Sequence, residues 1–379
     1  MTPGAYAYVP LERVVWGEAA ADAVPREVGR LGAERVFVAA SKTLARQTDA
    51  IEVLKSALGA RFAGLFDEGR EHTPFDTVLA CAEAVRAARP DLILTVGGGT
   101  PTDMVKVVQL CLTHDVRSLD ALAALAGKRT AAPSSLRQIV VPTTLSGGEY
   151  SSVAGATNTA THSKESFIGP DLCARAVILD PAITRHTPER LWLSTAIRAL
   201  DHAVEGYCAP ATNPLVQAAA LKAIALFATS LRRTKADPAD LQARHDSQMA
   251  TWLAASSLGR VPMGASHGIG YLLGAMHSVP HGETSCVMLP AVLRWNEDVT
   301  AAAQKDIAAA LGRPALSASE AVGELIAELG LPRRLGDVGV GAGDIPALAE
   351  RAAVHPVVLA NPRPVRSAAD AAAILDLAR

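Results

Sequence analysis

The chain has 379 residues, 49% of them hydrophobic and 20% charged, with a formal net charge of −2. This length accommodates two domains with separate cores, and the near-neutral charge excludes the basic footprint of a nucleic-acid binder and the polybasic patch of a membrane binder. No apolar run approaches the roughly 20 residues needed to cross a bilayer. The opening residues Met1-Thr2-Pro3-Gly4-Ala5-Tyr6 lack the basic and apolar regions of a signal peptide. Five scattered cysteines (Cys81, Cys111, Cys173, Cys208 and Cys286), without a CxxC pair, suit reduced thiols in a cytoplasmic protein.

Up to about residue 180, short apolar strands alternate with Ala-rich helical segments. Strands are predicted at Arg35–Ser41, Phe62–Asp67, Asp91–Val96, Gln138–Pro142 and Ala174–Asp180, with a helix from Phe75 to Ala88. Uninterrupted apolar strands separated by helices imply a parallel sheet covered on both faces. Residues 145–170, rich in Ser, Thr and Gly, read as a loop or small hairpin. Beyond Asp180-Pro181 the strand signal ends and helical patterns run to the C-terminus, punctuated near 210–214, 234–238 and 311–314. The expected division is an α/β domain over residues 1–180 and an all-helical domain over 181–379.

Gly97-Gly98-Gly99-Thr100-Pro101-Thr102-Asp103 follows a strand and opens a helix. Glycines there let backbone approach a pyrophosphate, and the helix N-terminus supplies free N–H groups and the positive end of a dipole. The same turn is also compatible with tight packing alone. At the end of the first apolar strand of this pattern, a carboxylate would bond the ribose of NAD and repel a 2′-phosphate. This chain has Ser41, followed by Lys42, so NADH and NADPH both remain open.

Within the helix predicted from Ser194 to Tyr207, Ile197, Leu200, Val204 and Tyr207 form an apolar stripe. Arg198, Asp201, His202 and Glu205 share another face at helical spacing. That face reads either as solvated charge with intrahelical ion pairs or as part of a site. The second reading gains from the segment His267–His281, which gathers three of the chain's ten histidines.

These segments, in this order, resemble the iron-dependent (group III) alcohol dehydrogenases, and in particular the maleylacetate reductases among them. Gly97–Lys106 resembles the family's Gly-Gly-Gly-Ser-x-x-Asp-x-x-Lys motif, and Pro142-Thr143-Thr144-Leu145-Ser146-Gly147-Gly148-Glu149 its second signature. His72-Thr73-Pro74, Asn213-Pro214, Leu258-Gly259 and Asn361-Pro362-Arg363-Pro364 match as well. The resemblance implies a Rossmann-like dinucleotide-binding domain followed by an all-α domain, the dehydroquinate synthase-like architecture. It also implies a homodimer acting on a small molecule. By resemblance, Ser41, Gly97, Gly98, Gly99, Thr100, Asp103, Thr143, Thr144, Ser146 and Lys164 are assigned to NADH or NADPH. As alternatives, Thr143 and Thr144 could simply satisfy loop amides, and Lys164 could be solvated.

In the family an Asp, and a His four residues later, join two further His residues around Fe²⁺ or Zn²⁺. Here His202, His267 and His281 match, but Arg198 stands at the Asp position. A guanidinium removes one ligand and places a cation beside the metal position, where repulsion amounts to several kcal/mol at intermediate dielectric. The expected catalytic set is therefore Arg198, His202, His267, Tyr271 and His281 without metal, with His202, His267 and His281 as ligands in the alternative. Tyr271 and Gly148 depart from the reductases, which have His and commonly Ser there; Tyr271 either donates its phenol proton or packs. The first functional expectation is NAD(P)H-dependent reduction of a carbonyl or enoyl group on a small carboxylate. The alternatives are a metal-dependent alcohol dehydrogenase and a non-catalytic nucleotide-binding homologue.

Overall fold

A computed structural model describes residues 4–161 and 163–379. Met1–Pro3, the start of the segment read as lacking a signal peptide, and His162 lie outside them. The chain divides into two compact units after Thr187, rather than at 180. The short turn Ile183–His186 belongs to the first unit, and Thr187 Oγ1 donates to the Thr143 carbonyl at 2.7 Å.

In the first unit the strands are β1 (Arg13–Trp16), β2 (Val36–Ala40), β3 (Phe62–Phe66), β4 (Leu92–Gly97), β5 (Gln138–Pro142), β6 (Val153–Asn158), β7 (Ser163–Ile168) and β8 (Ala176–Leu179). Six of them form one sheet in the order β1-β8-β5-β4-β2-β3, every pair parallel. Strands β6 and β7 form a separate antiparallel hairpin. The helices are α1 (Ala20–Arg30), α2 (Lys42–Gln47), α3 (Ala50–Leu58), α4 (Phe75–Ala88), α5 (Gly99–Thr113) and α6 (Leu119–Leu125).

The five predicted strands and the helix at Phe75–Ala88 are present. Strand β1 is additional to them: it is four residues long, sits at the sheet edge and buries only Val15 well, so it carries no apolar run. Alternation along the central strands feeds two cores. Val36, Val38, Leu92 and Leu94 enter one face, while Phe37, Ala39 and Ile93 enter the other. From β2 the chain steps outward to β3, then returns to place β4 on the opposite side of β2. The carboxyl ends of β2 and β4 thus flank a topological switch point, where α/β sheets bind ligands.

The second unit is helical: α7 (Glu189–Cys208), α8 (Pro214–Ala236), α9 (Leu241–Ala254), α10 (Ala265–His277), α11 (His281–Ala310), α12 (Ala318–Glu328), α13 (Ile345–Ala352), α14 (Pro356–Leu359) and α15 (Ala368–Leu377). Its central helix, α7, is buried from Trp192 through Tyr207 and packs against α8, α9 and α11. The solvated-face alternative for Arg198, Asp201, His202 and Glu205 is therefore wrong: all four are buried. Helix α8 is long and apolar enough, by length and composition, to cross a membrane, although Gln217 and Lys222 interrupt its apolar residues. Half of its apolar window is buried against α7 and α9, as in a core helix.

The Asn213-Pro214 pair starts α8. The Asn213 side chain accepts the Val216 N–H at 3.2 Å, and Pro214 fills the first turn. Asn213→Ala is expected to cost about 1 kcal/mol, lowering Tm by about 1 °C for a chain of this size. An unchanged calorimetric melt would show that the cap contributes nothing.

Candidate active site

The glycine turn of the first unit is built by close approach. Gly97, at the end of β4, has φ +148, and a Cβ there would lie 2.7 Å from Pro101 Cγ and 3.2 Å from Ser41 Cβ. At Gly98 a Cβ would lie 2.8 Å from Thr144 Cγ2, and at Gly99 one would reach Ser146 Oγ at 3.4 Å. Backbone bonds tie the same parts together: Ser41 N–H donates to Val96 O and Thr143 N–H to Gly97 O, both at 3.0 Å. Thr144 Oγ1 and Ser146 Oγ are 3.2 Å apart. Ser41, Gly97, Gly98, Gly99, Thr100, Thr143, Thr144 and Ser146, far apart in the chain, thus gather at the N-terminus of α5. Free N–H groups in a first helical turn suit phosphate oxygens.

Asp103 and Lys164, assigned to the cofactor, also make contacts within this unit. Asp103 Oδ2 accepts the Gly155 N–H at 3.1 Å, and its Oδ1 lies 3.3 Å from Lys106 Nζ. Lys106 is fully buried and donates to Gly148 O at 2.6 Å and Val153 O at 2.8 Å. Asp103 and Lys106 therefore clamp the hairpin to α5. Lys164 lies on β7 with its stem over Gly155, where any Cβ would come 2.6 Å from Lys164 Cε. Glu149, next to the clamp, is buried, and burial pushes its carboxyl up to about 7 against the opposing pull of Lys106. Likewise, His72-Thr73 forms a left-handed turn (φ 62 and 52) held by Thr157, whose N–H donates to Thr73 O and whose hydroxyl donates to His72 O.

The second unit buries a carboxylate–histidine network on α7, α10 and α11. Glu205 accepts backbone N–H groups of Gly264 and Ser266, both at 2.8 Å, and faces His267 Nδ1 at 2.7 Å. It thereby caps α10 and orients the imidazole. Burial raises the Glu205 carboxyl, and these backbone bonds hold it down. As an acceptor of several N–H groups, Glu205 keeps the proton on His267 Nδ1 and leaves Nε2 as a lone pair. Burial, and next the Arg198 charge, push His267 down to about 3. His202 is held well below its usual range by burial, then by His267 and Arg198. The two rings lie 4.8 Å apart, and His267 Nε2 and His202 Nδ1 are buried without a hydrogen-bond partner among the described residues.

Asp201 Oδ2 accepts the hydroxyls of Ser266 at 2.7 Å and Ser285 at 2.6 Å. Ser285 in turn accepts Arg198 Nη1–H at 3.0 Å. Arg198 lies 3.9 Å from Asp201 Oδ2, and its guanidinium stands 5.3 Å from the centre of the Tyr271 ring. Gly270 keeps this space open, since a Cβ there would lie 2.9 Å from Thr284 Oγ1 and 3.5 Å from Arg198 Nη1. Tyr271 is 38% exposed. Its ring centre is 6.3 Å from that of His267, 6.2 Å from His281 and 6.2 Å from His355. His281, at the start of α11, lies against the backbone of Gly274.

Arg198, His202, His267, Tyr271 and His281 are thus brought into one neighbourhood. Glu205, Asp201, Ser266, Ser285 and Asn361 are functional neighbours that sequence reasoning did not assign. The signal for the first two was present, because both share the helical face of Arg198 and His202. Asn361 accepts the Ala265 N–H at 3.1 Å and exchanges amide bonds with Asn296, so the Asn361-Pro362-Arg363 segment anchors the start of α10.

Iron ligation can be tested on the donor set. Among the described residues, one group of three ligand-type side chains has donor atoms within 4.8 Å of one another: Asp201, Glu205 and His267. Most of its atoms meet one another or hydroxyl and backbone N–H donors, as in an orienting network, while Asp201 Oδ1 and His267 Nε2 have no hydrogen-bond partner among the described residues. The alternative ligand set His202, His267 and His281 does not form such a group among the described residues. The anionic position one turn before His202 holds a cation.

A parallel α/β unit with a glycine turn at its switch point, in one chain with a helical unit burying this network, defines the class: an NAD(P)-dependent oxidoreductase. Two family descriptions match, iron-containing alcohol dehydrogenase over residues 11–181 and its C-terminal counterpart over residues 192–378. Dehydrogenase ALT3 of Alternaria alternata is 35% identical, covering 86% of this chain and 96% of that one. A maleylacetate reductase of a Rhizobium species is 30% identical, covering 97% and 96%. The crystal structure of maleylacetate reductase from Agrobacterium tumefaciens superposes with a TM-score of 0.85 at 29% identity, covering 99% of this chain and 98% of that one. The chain belongs to the iron-containing alcohol dehydrogenase family, as a maleylacetate reductase-like member.

Proposed function

We propose that this protein uses NADH or NADPH to reduce the carbonyl or enoyl group of a small oxo-carboxylate resembling maleylacetate, working without iron, as a cytoplasmic homodimer. The observation carrying the reading is the buried Arg198 guanidinium at the charge position of the site, beside a neutral, oriented His267. A hydride from the reduced nicotinamide to the substrate carbon leaves negative charge on oxygen. Arg198 keeps its charge at any working pH and stabilises that oxygen with N–H groups already aimed in a buried setting. His267 presents an acceptor at Nε2, so the neutralising proton comes from another group; this reading assigns it to Tyr271, whose ring faces Arg198. Support comes from the maleylacetate reductases of similar length and fold.

The test is oxidation of NADH and NADPH with a panel of oxo acids that includes maleylacetate. Turnover with none of them would overturn the substrate class. Exhaustive chelation is expected to leave the rate unchanged. Loss of activity on chelation, restored by Fe²⁺ or Zn²⁺, would return the metal-dependent alternative. Light scattering at micromolar concentration checks the dimer; a monomer would refute it.

A further inference from the structure

We infer that His355 contacts the substrate, donating from Nε2–H to a carboxylate oxygen; the inference rests on the oxo-carboxylate reading above. His355 precedes α14, and α14 reaches α10 through a glycine contact: a Cβ at Gly268 would lie 2.4 Å from Val358 Cγ2 and 2.9 Å from Val358 N. That approach, open only to glycine, brings the imidazole beside Tyr271, one turn along α10 from His267. His355 is half-buried, and its Nδ1 accepts the Val357 N–H at 3.3 Å as the cap of α14. With Nδ1 occupied as an acceptor, the neutral ring carries its proton on Nε2. Burial lowers its pKa, which keeps this tautomer neutral near pH 7.

Tyr271 is therefore ringed by a fixed guanidinium and three imidazoles, one of them an N–H donor. Arg198 spends Nη1 on Ser285, and its Nε and Nη2 have no protein acceptor among the described residues. A cationic fork and a neutral N–H donor, 5.3 Å and 6.2 Å from the ring centre of one partly exposed phenol, suit a substrate with two acceptor groups. The reacting oxygen goes to Arg198 and a remote carboxylate to His355. A helix cap alone would not require imidazole there, because Asn, Asp and Ser cap better.

His355→Asn is the informative variant, since Asn retains the cap and removes Nε2–H. The probe is succinate, an inert dicarboxylate, titrated by calorimetry into the enzyme saturated with oxidised nucleotide. H355N is expected to weaken succinate about tenfold or more and to raise KM for the oxo acid similarly. Its kcat should stay within about threefold, with Tm and nucleotide affinity unchanged. KM for the methyl ester of that acid should barely move. The inference is overturned if succinate fails to bind the native enzyme, binds both proteins alike, or if acid and ester KM values rise together. If no oxo acid is turned over, yet H355N still loses succinate, the reductase reading falls and this site stands. If oxo acids are turned over and H355N matches the native enzyme, the site falls and the reductase reading stands.

Discussion

Arg198→Ala is expected to lower kcat on the order of 10²–10³-fold, the usual loss of a donor to a developing oxyanion. Arg198 is 6% exposed, so its charge is felt through a medium far less screening than water. Ser285 and Asp201 hold it in place, so little reorganisation is needed when charge appears on the substrate. Nucleotide affinity should not change. Asp201 retains the hydroxyls of Ser266 and Ser285 in the variant, so the fold is expected to survive, as circular dichroism would show. Arg198→Lys preserves the charge without the planar fork and should fall between the two. Arg198 also depresses His267 and His202, so its removal should move both upward, readable by NMR titration. Steady-state kinetics giving R198A more than about a third of the native kcat would remove Arg198 from the chemistry, since even a weak donor contributes more than that.

Gly98→Asp is expected to weaken nucleotide binding at least thirtyfold, about 2 kcal/mol. Two causes act together. The new Cβ would meet Thr144 Cγ2 at 2.8 Å, displacing a residue of the second motif. The carboxylate would also stand at a helix N-terminus suited to phosphate, presenting like charge to it. Gly98→Ala separates the causes, because it keeps the clash and adds no charge; it should lose less. Fluorescence titration with NADH and NADPH is the measurement, with near-native Tm confirming the fold. An unchanged dissociation constant for G98D would place the nucleotide elsewhere.

Strands β2, β4, β5 and β8 were legible because a strand buried on both faces must be apolar throughout, whatever its partner; the edge strand β3, of intermediate burial, was legible from the apolar run Phe62–Phe66. The glycine turn was legible for a related reason: its geometry requires missing Cβ atoms, and glycine leaves that mark in the chain itself. The order of His202, His267 and His281 likewise pointed to residues that the structure brings into one neighbourhood. Strand β1 left no such mark, because an edge strand needs only one buried side chain.

What the sequence by itself determined was the α/β-then-helical order and a glycine turn opening a helix, each from residue type at a local spacing; that Arg198 stands where relatives keep an anionic ligand came from the family resemblance. The tertiary structure alone decided what the polar residues are paired with. Helical spacing puts Arg198, Asp201, His202 and Glu205 on one face, but spacing is identical for a solvated ladder of ion pairs and a buried network. Only the packing of α10 and α11 on α7 gives Glu205 the N-terminus of α10 and the Nδ1 of His267, and gives Asp201 two serine hydroxyls. Asp103 and Lys106 show the same: a motif assigned by resemblance to the cofactor also clamps the hairpin through Gly155, Gly148 and Val153. Hydrogen bonds and charge pairs depend on three-dimensional distance, and partners far apart in the chain leave no local period to read.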